Sequence, residues 1–97
     1  MHVEFPGEPF NSAVRNGTAG QQLQRILADI KPEAAYFSEC DGHRGGVLVV
    51  NLDDPSDVPR FAEPFFLTFN AEVRFRVAMT PDDLGRSNIE ALGKKWS

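Results

Sequence analysis

The chain has little of what most recognisable sites are built from. Among 97 residues there is one cysteine, Cys40, with two histidines, one tyrosine and one tryptophan. A single cysteine excludes an internal disulfide and any zinc site needing two thiolates from one chain. The histidines, His2 and His43, stand on separate segments without the spacing of a metal motif, so neither a metal nor a cofactor is expected. No apolar run approaches the roughly 20 residues that cross a bilayer. The opening MHVEFPGEPF lacks the basic start and apolar stretch of a signal peptide, so the expectation is a cytoplasmic protein with no membrane partner. Basic charge is scarce too: ten Lys and Arg against fourteen Asp and Glu leave −4, the wrong sign for a nucleic-acid partner.

What is present is apolar and well punctuated. Ninety-seven residues suit one domain, 1–97, with a single core. A domain of this size buries only about two thirds of its unfolded surface, so self-association is a natural further source of stability. Met1 to Phe5 alternates as a short strand that Pro6, Gly7 and Pro9 end. A helix starts weakly at Asn11, then firmly over Thr18 to Ile30, where Leu23, Ile26, Leu27 and Ile30 recur at helical spacing up to the stop before Pro32. Asp41-Gly42 supplies the positive φ angles of a two-residue hairpin turn between Glu33–Cys40 and His43–Leu52. That register pairs Cys40 with His43, Glu39 with Arg44 as opposite charges, Phe37 with Gly46 and Ala35 with Leu48.

Five of the eight phenylalanines fall between Phe61 and Phe75. Ser56 is placed as the cap of a second helix, with Phe61, Phe65, Phe66 and Phe69 on one face and Pro64 kinking or dividing it. Ala71 to Met79 then alternates as a fourth strand, with Val73, Phe75, Val77 and Met79 on one side and Glu72, Arg74 and Arg76 on the other. Thr80-Pro81-Asp82-Asp83 starts a loosely held terminal helix that packs across the body or onto a partner chain.

Strand, helix, strand, strand, helix, strand and terminal helix is the element order of an α+β, ferredoxin-like βαββαβ domain. Its antiparallel sheet runs 4-1-3-2, with both helices on one face and an extra C-terminal helix. The opposite face, with His2, Glu4, Tyr36, Ser38, Val47, Val49, Asn51, Arg74 and Arg76, mixes valines with charges. It suits either an open sheet or a second sheet pressed against it.

The run KPEAAYFSECDGHRGGVLVVNLDDPSDVPRFAEPFFLTFNAEVRFRVAMTPDDL, with the upstream NSAVRNGT, resembles a family of small bacterial proteins of the dimeric α/β-barrel, ferredoxin-like type. The resemblance covers nearly the whole chain and implies that fold and a homodimer. The wider superfamily includes cofactor-free monooxygenases, muconolactone-isomerase-like proteins and stress-responsive barrels, but no catalytic motif of theirs is matched here.

Chemistry therefore rests on individual residues. Tyr36 with Arg74 and Arg76 can bind an anionic or phenolic ligand, or the arginines can serve a salt-bridged dimer face with Glu4 and Glu72. Glu63, beside Pro64 among Phe61, Phe65 and Phe66, is either a desolvated general base at a pocket wall or a solvated carboxylate. Arg15 and Asn16 can line the mouth of that pocket or belong to an irregular surface entry. Cys40 and His43 flank an exposed turn tip, where a thiolate–imidazole pair would lack shelter.

Two functions follow. One is a cofactor-independent enzyme, monooxygenase- or isomerase/cyclase-like, acting on a small aromatic or polyketide-like molecule. In that case Glu63 and Tyr36 are catalytic, and Arg74, Arg76, Arg15, Phe61, Phe65 and Phe66 hold the ligand. The other is a non-catalytic homodimeric metabolite-binding or interaction module. An RNA-binding sheet is disfavoured, because stacking aromatics are lacking on the open face.

Overall fold

The computed structural model describes residues 1–97. Strand β1 (His2–Phe5) leads into helices α1 (Phe10–Arg15) and α2 (Ala19–Ile30), and strands β2 (Ala34–Cys40) and β3 (His43–Val49) form a hairpin. A 3₁₀ turn (Pro55–Asp57) precedes α3 (Val58–Phe69), which is followed by β4 (Glu72–Arg74), α4 (Pro81–Arg86) and α5 (Ile89–Lys95). The architecture is α+β with one open, four-stranded, antiparallel sheet. Across it the order is β2-β3-β1-β4, which counted from the β4 edge is 4-1-3-2.

The hairpin follows the turn chemistry. Asp41 at φ 50 and Gly42 at φ 83 both occupy the left-handed region that a type I′ turn requires. Cys40 pairs with His43, Glu39 with Arg44, Phe37 with Gly46 and Ala35 with Leu48, as the turn dictates. A side chain at Gly46 would meet the Phe37 ring at 2.9 Å, so the bare backbone there is what lets the ring lie across the strand.

The core lies between one sheet face and the helices. Val3, Phe5 and Leu48 come from the sheet, Ile26 and Ile30 from α2, and Phe61, Phe65 and Phe69 from α3, all buried. Phe5 meets Phe10, Phe65 and Phe69 at centroid distances of 5.0, 6.1 and 5.3 Å, and Phe10 stacks on Phe69 at 4.7 Å. These rings explain the course of α3 at Pro64. The helix is continuous from Val58 to Phe69 and is not divided at the proline. An interior proline costs about 3 kcal/mol, whereas full burial of a phenylalanine contributes about 1.5–3 kcal/mol. Three buried rings at i, i+4 and i+8 outweigh the one lost hydrogen bond.

Elsewhere the structure departs from the sequence patterns. Ser56 is not the cap: Asp54 accepts from Ser56 N at 2.9 Å and from Ser56 Oγ at 2.7 Å, and so closes the 3₁₀ turn itself. These bonds hold the Asp54 carboxyl below its ordinary pKa.

The fourth strand is three residues long, not nine. Pairing of His2 with Arg74 and Val3 with Val73 brings Phe75 opposite Met1, and Arg76 to Met79 run past the N-terminal end of β1. An edge strand with no neighbour at that level has no ladder to join. Val77 is therefore fully exposed and Met79 exposed, while Phe75 and Phe37 are each more than a third exposed instead of covered by the helices.

The single terminal helix is in fact two short ones broken at Ser87-Asn88, with Asn88 at φ 56. Thr80 and Asp83 form a reciprocal capping box at the start of α4, and Arg86 closes its last turn onto Asp82 and Asp83. No residue beyond Val73 is buried. The chain accordingly measures 59 × 27 × 19 Å with a radius of gyration of 17.1 Å, against about 13 Å for a compact chain of this length. Residues 75–97 form an arm that stands off the body.

Candidate binding cleft

The β2–β3 hairpin extends past the helices, and its helix-side residues beyond Leu48 are left without a roof. The result is a cleft of about 720 Å³ between the hairpin end and the α1–α2 corner. Its apolar walls are Phe5, Phe10, Leu23 and Phe37, and its polar rim includes Asn11, Ser38, Glu39, His43 and Arg44. An apolar concavity with a few convergent polar groups is the usual form of a small-molecule site.

Arg44 is the fixed charge of this cleft. Strand pairing sets it opposite Glu39, but the two side chains do not form the ion pair that the register suggests. Glu39 Oε2 instead accepts from the Gly42 backbone N–H at 2.9 Å, bracing the hairpin turn. Arg44 turns to the helices: its Nη1 donates to Asn11 Oδ1 at 2.6 Å, and its guanidinium carbon lies 4.7 Å from the centre of the Phe10 ring. One of five donors is thereby occupied and the plane is held by an aromatic face, leaving a positioned fork that can receive a carboxylate.

At the foot of α1, Glu8 accepts from Ser12 Oγ at 2.6 Å and Ser12 N at 3.2 Å. The Ser12 hydroxyl does most to hold this carboxyl below its ordinary pKa. Desolvation opposes the shift, and Arg15 and Arg44 assist it. Arg15 is exposed and lies 3.6 Å from Glu8, so it serves that local network and does not line the cleft.

The open sheet face carries a second, smaller groove of about 250 Å³ that brings together Tyr36 and Arg74 with His2, Glu4, Cys40 and Glu72. Here Glu4 is the hub: its Oε1 lies 3.2 Å from His43 Nδ1 and its Oε2 3.9 Å from Arg74, which also bonds Glu72 at 3.2 Å. Arg74 thus sits among carboxylates, and Arg76 lies apart from it in the exposed segment after β4.

Burial, reinforced by Glu4 and Asp41, pushes the Cys40 thiol up, the direction opposite to that of an activated nucleophile. Glu4, Cys40 and Asp41 offer ligand atoms within 4.8 Å of one another. Arg74, 3.9 Å from Glu4, competes with a cation for that carboxylate.

The remaining sequence candidates do not assemble. Phe61 and Phe65 are core residues packed shut against the sheet, and Phe66 is half-exposed on the other side of α3. Glu63 is exposed on α3 and lines neither groove. A third cleft, between α2 and α3, holds Gln22, Arg25, Asp29, Pro64 and Leu67. It contains one buried acceptor without a donor, Gln22 Oε1, and no aromatic wall.

Sequence reasoning missed Phe10, Asn11 and Arg44 as a group. Its one available signal was that Arg44 shares the helix-side face with Phe37 at the exposed end of the hairpin. Comparison with protein-family models, with curated proteins and with solved structures finds no match to this chain.

Proposed function

We propose that the protein is a homodimeric, ferredoxin-like metabolite-binding module that takes a small organic anion into the cleft at the hairpin end. The observation that carries this reading is Arg44, fixed by Asn11 and the Phe10 ring at the rim of an otherwise apolar concavity. A ligand with an aromatic or alicyclic body fits the Phe5, Phe10, Leu23 and Phe37 walls, and its carboxylate reaches the free donors of the guanidinium. The element order and the 4-1-3-2 sheet support a ferredoxin-like domain. Half-exposed Val47 and Val49 beside Tyr36 on the open face support packing against a second sheet, as in a dimeric α/β barrel.

Naphthalene-1-carboxylate is a suitable probe, with naphthalene-1-methanol as its neutral counterpart. In heteronuclear NMR titration the acid is expected to shift the amides of Phe10, Phe37 and Arg44 and to bind more tightly than the alcohol. Arg44→Gln is expected to weaken the acid by about tenfold or more, the scale of a charge-assisted hydrogen bond, and to leave the alcohol unchanged. Equal binding of acid and alcohol would remove the role given to Arg44.

A cofactor-independent enzyme acting on a small aromatic molecule is the second reading, and one observation favours it. His43 Nδ1 sits 3.2 Å from Glu4 Oε1, which is the arrangement of a carboxylate-oriented general base. That reading needs His43, whereas binding at Arg44 does not.

A further inference from the structure

Two features of the surface are unfinished in complementary ways. Phe75 to Met79 continues the alternation of β4 outside any strand, and from Arg76 onward it has no neighbour on either side. At the far edge of the sheet, β2 presents seven residues, Ala34–Cys40, whose outer side pairs with nothing. Sheet edges are normally blunted by lysine, proline or a bulge. The sequence AAYFSEC contains neither lysine nor proline, and its register with β3 runs without interruption.

We infer that Phe75–Met79 of one copy adds to the β2 edge of a second copy, so that two chains exchange C-terminal arms. Strand addition of this kind satisfies backbone groups on both partners. A two-fold exchange closes on itself and leaves no open end to propagate. The occupant is a second copy for a geometric reason. Residues 75–80, FRVAMT, contain no Gly, Asn or Asp, and Thr80 is still extended at ψ 164. Six extended residues carry the chain roughly 20 Å before α4 begins, so the arm leaves its own body before it can turn back.

Area agrees. Phe75, Val77, Met79, Leu84, Ile89, Leu92 and Trp96 are all exposed. At roughly 100 Å² of apolar surface each, two arms remove on the order of 1,000 Å² before any target surface is counted, which approaches the ~1,600 Å² of a standard stable interface. The inference rests on the homodimer part of the proposed function and not on the ligand.

Trp96 is the only tryptophan and lies near the tip of the arm, 77% exposed. Its emission therefore reports on the arm alone. The full chain is to be studied by sedimentation equilibrium and by Trp96 fluorescence over the same dilution series. A dimer whose formation shifts Trp96 emission to the blue, at matching concentrations, is the expected result. Val77→Pro and Ala78→Pro, made singly, each remove one backbone donor from the arm, and one of the two must face β2. At least one is expected to raise the dissociation constant ~10-fold or more without changing the far-UV circular dichroism of the body.

Every other outcome overturns the exchange, and the outcomes are distinguishable. A dimer with unshifted Trp96 keeps the homodimer and frees the arm. A blue shift independent of concentration places the arm on its own body. A monomer at all concentrations removes both exchange and homodimer. A dimer insensitive to both prolines removes the strand pairing.

Discussion

Phe69→Ala is expected to lower the free energy of unfolding by about 3–5 kcal/mol, the range for deleting a buried aromatic ring. A domain of this size commands about 5–15 kcal/mol in total, so the variant should be marginal or unfolded at room temperature. The reason is position. Phe69 is fully buried at the last turn of α3, with Phe5 edge-on at 5.3 Å and Phe10 stacked at 4.7 Å. Its ring therefore joins β1, α1 and α3 at one point, and no neighbour can collapse into the void without leaving another contact. Urea unfolding followed by far-UV circular dichroism measures the loss. A change below about 1 kcal/mol would mean that the three rings are not the anchor of this core. Because Phe10 also walls the ligand cleft and supports Arg44, any folded fraction of the variant should bind the naphthoate probe more weakly.

Gly45→Ala is the second large effect, expected to cost about 1–3 kcal/mol by overpacking. A methyl group at Gly45 would sit 2.8 Å from Cys40 Cβ and 3.0 Å from the Val3 carbonyl oxygen. Neither obstacle is the free end of a flexible side chain, so β3 can accommodate the methyl only by moving away from β1 or β2. The same denaturation measurement applies, and a variant as stable as the parent would show that the sheet yields more readily than these contacts allow. Since β3 is an interior strand, paired to β2 on one side and β1 on the other, the strain should be felt throughout the hairpin, including at the Arg44 end of the cleft.

Local signals were legible in the sequence wherever chemistry is decided by adjacent residues. Asp41-Gly42 dictated a turn, and with it every pair of the β2–β3 register. Thr80-Pro81 dictated the capped start of α4. Alternation in Ala71–Met79 correctly set Val73 toward the core, but it could not give strand length, because length depends on how far β1 extends alongside.

Pro64 allowed either a kink or a division of the helix, and the division does not occur. The local cost of the proline is real, but the buried faces of Phe61, Phe65 and Phe69 decide the path of α3. The cleft was least legible of all. Glu39 and Arg44 are neighbours in the register, yet Arg44 chooses Asn11, 33 residues away, and Phe10. That choice depends on where α1 packs. Tyr36 and Arg74 do share a groove, as their common sheet face suggested, while Glu63, Arg15 and Arg76 are dispersed over α3, α1 and the arm.

The placement of β1 has a kinetic consequence. The first strand of the chain occupies an interior position, and its partners are remote: Val3 pairs with Gly46 and with Val73, 43 and 70 residues away. The hairpin, by contrast, closes a two-residue turn. Contact order slows folding because loop entropy must be lost before distant contacts form. The hairpin can therefore form early by itself, while the rate-limiting event is the seating of β1 between two strands that otherwise never touch. Transition-state mapping should give high φ-values in the hairpin and low ones at Val73, and the reverse order would refute this sequence of events. Until β1 is seated, the sheet consists of two disconnected pieces, and the phenylalanine cluster has no floor.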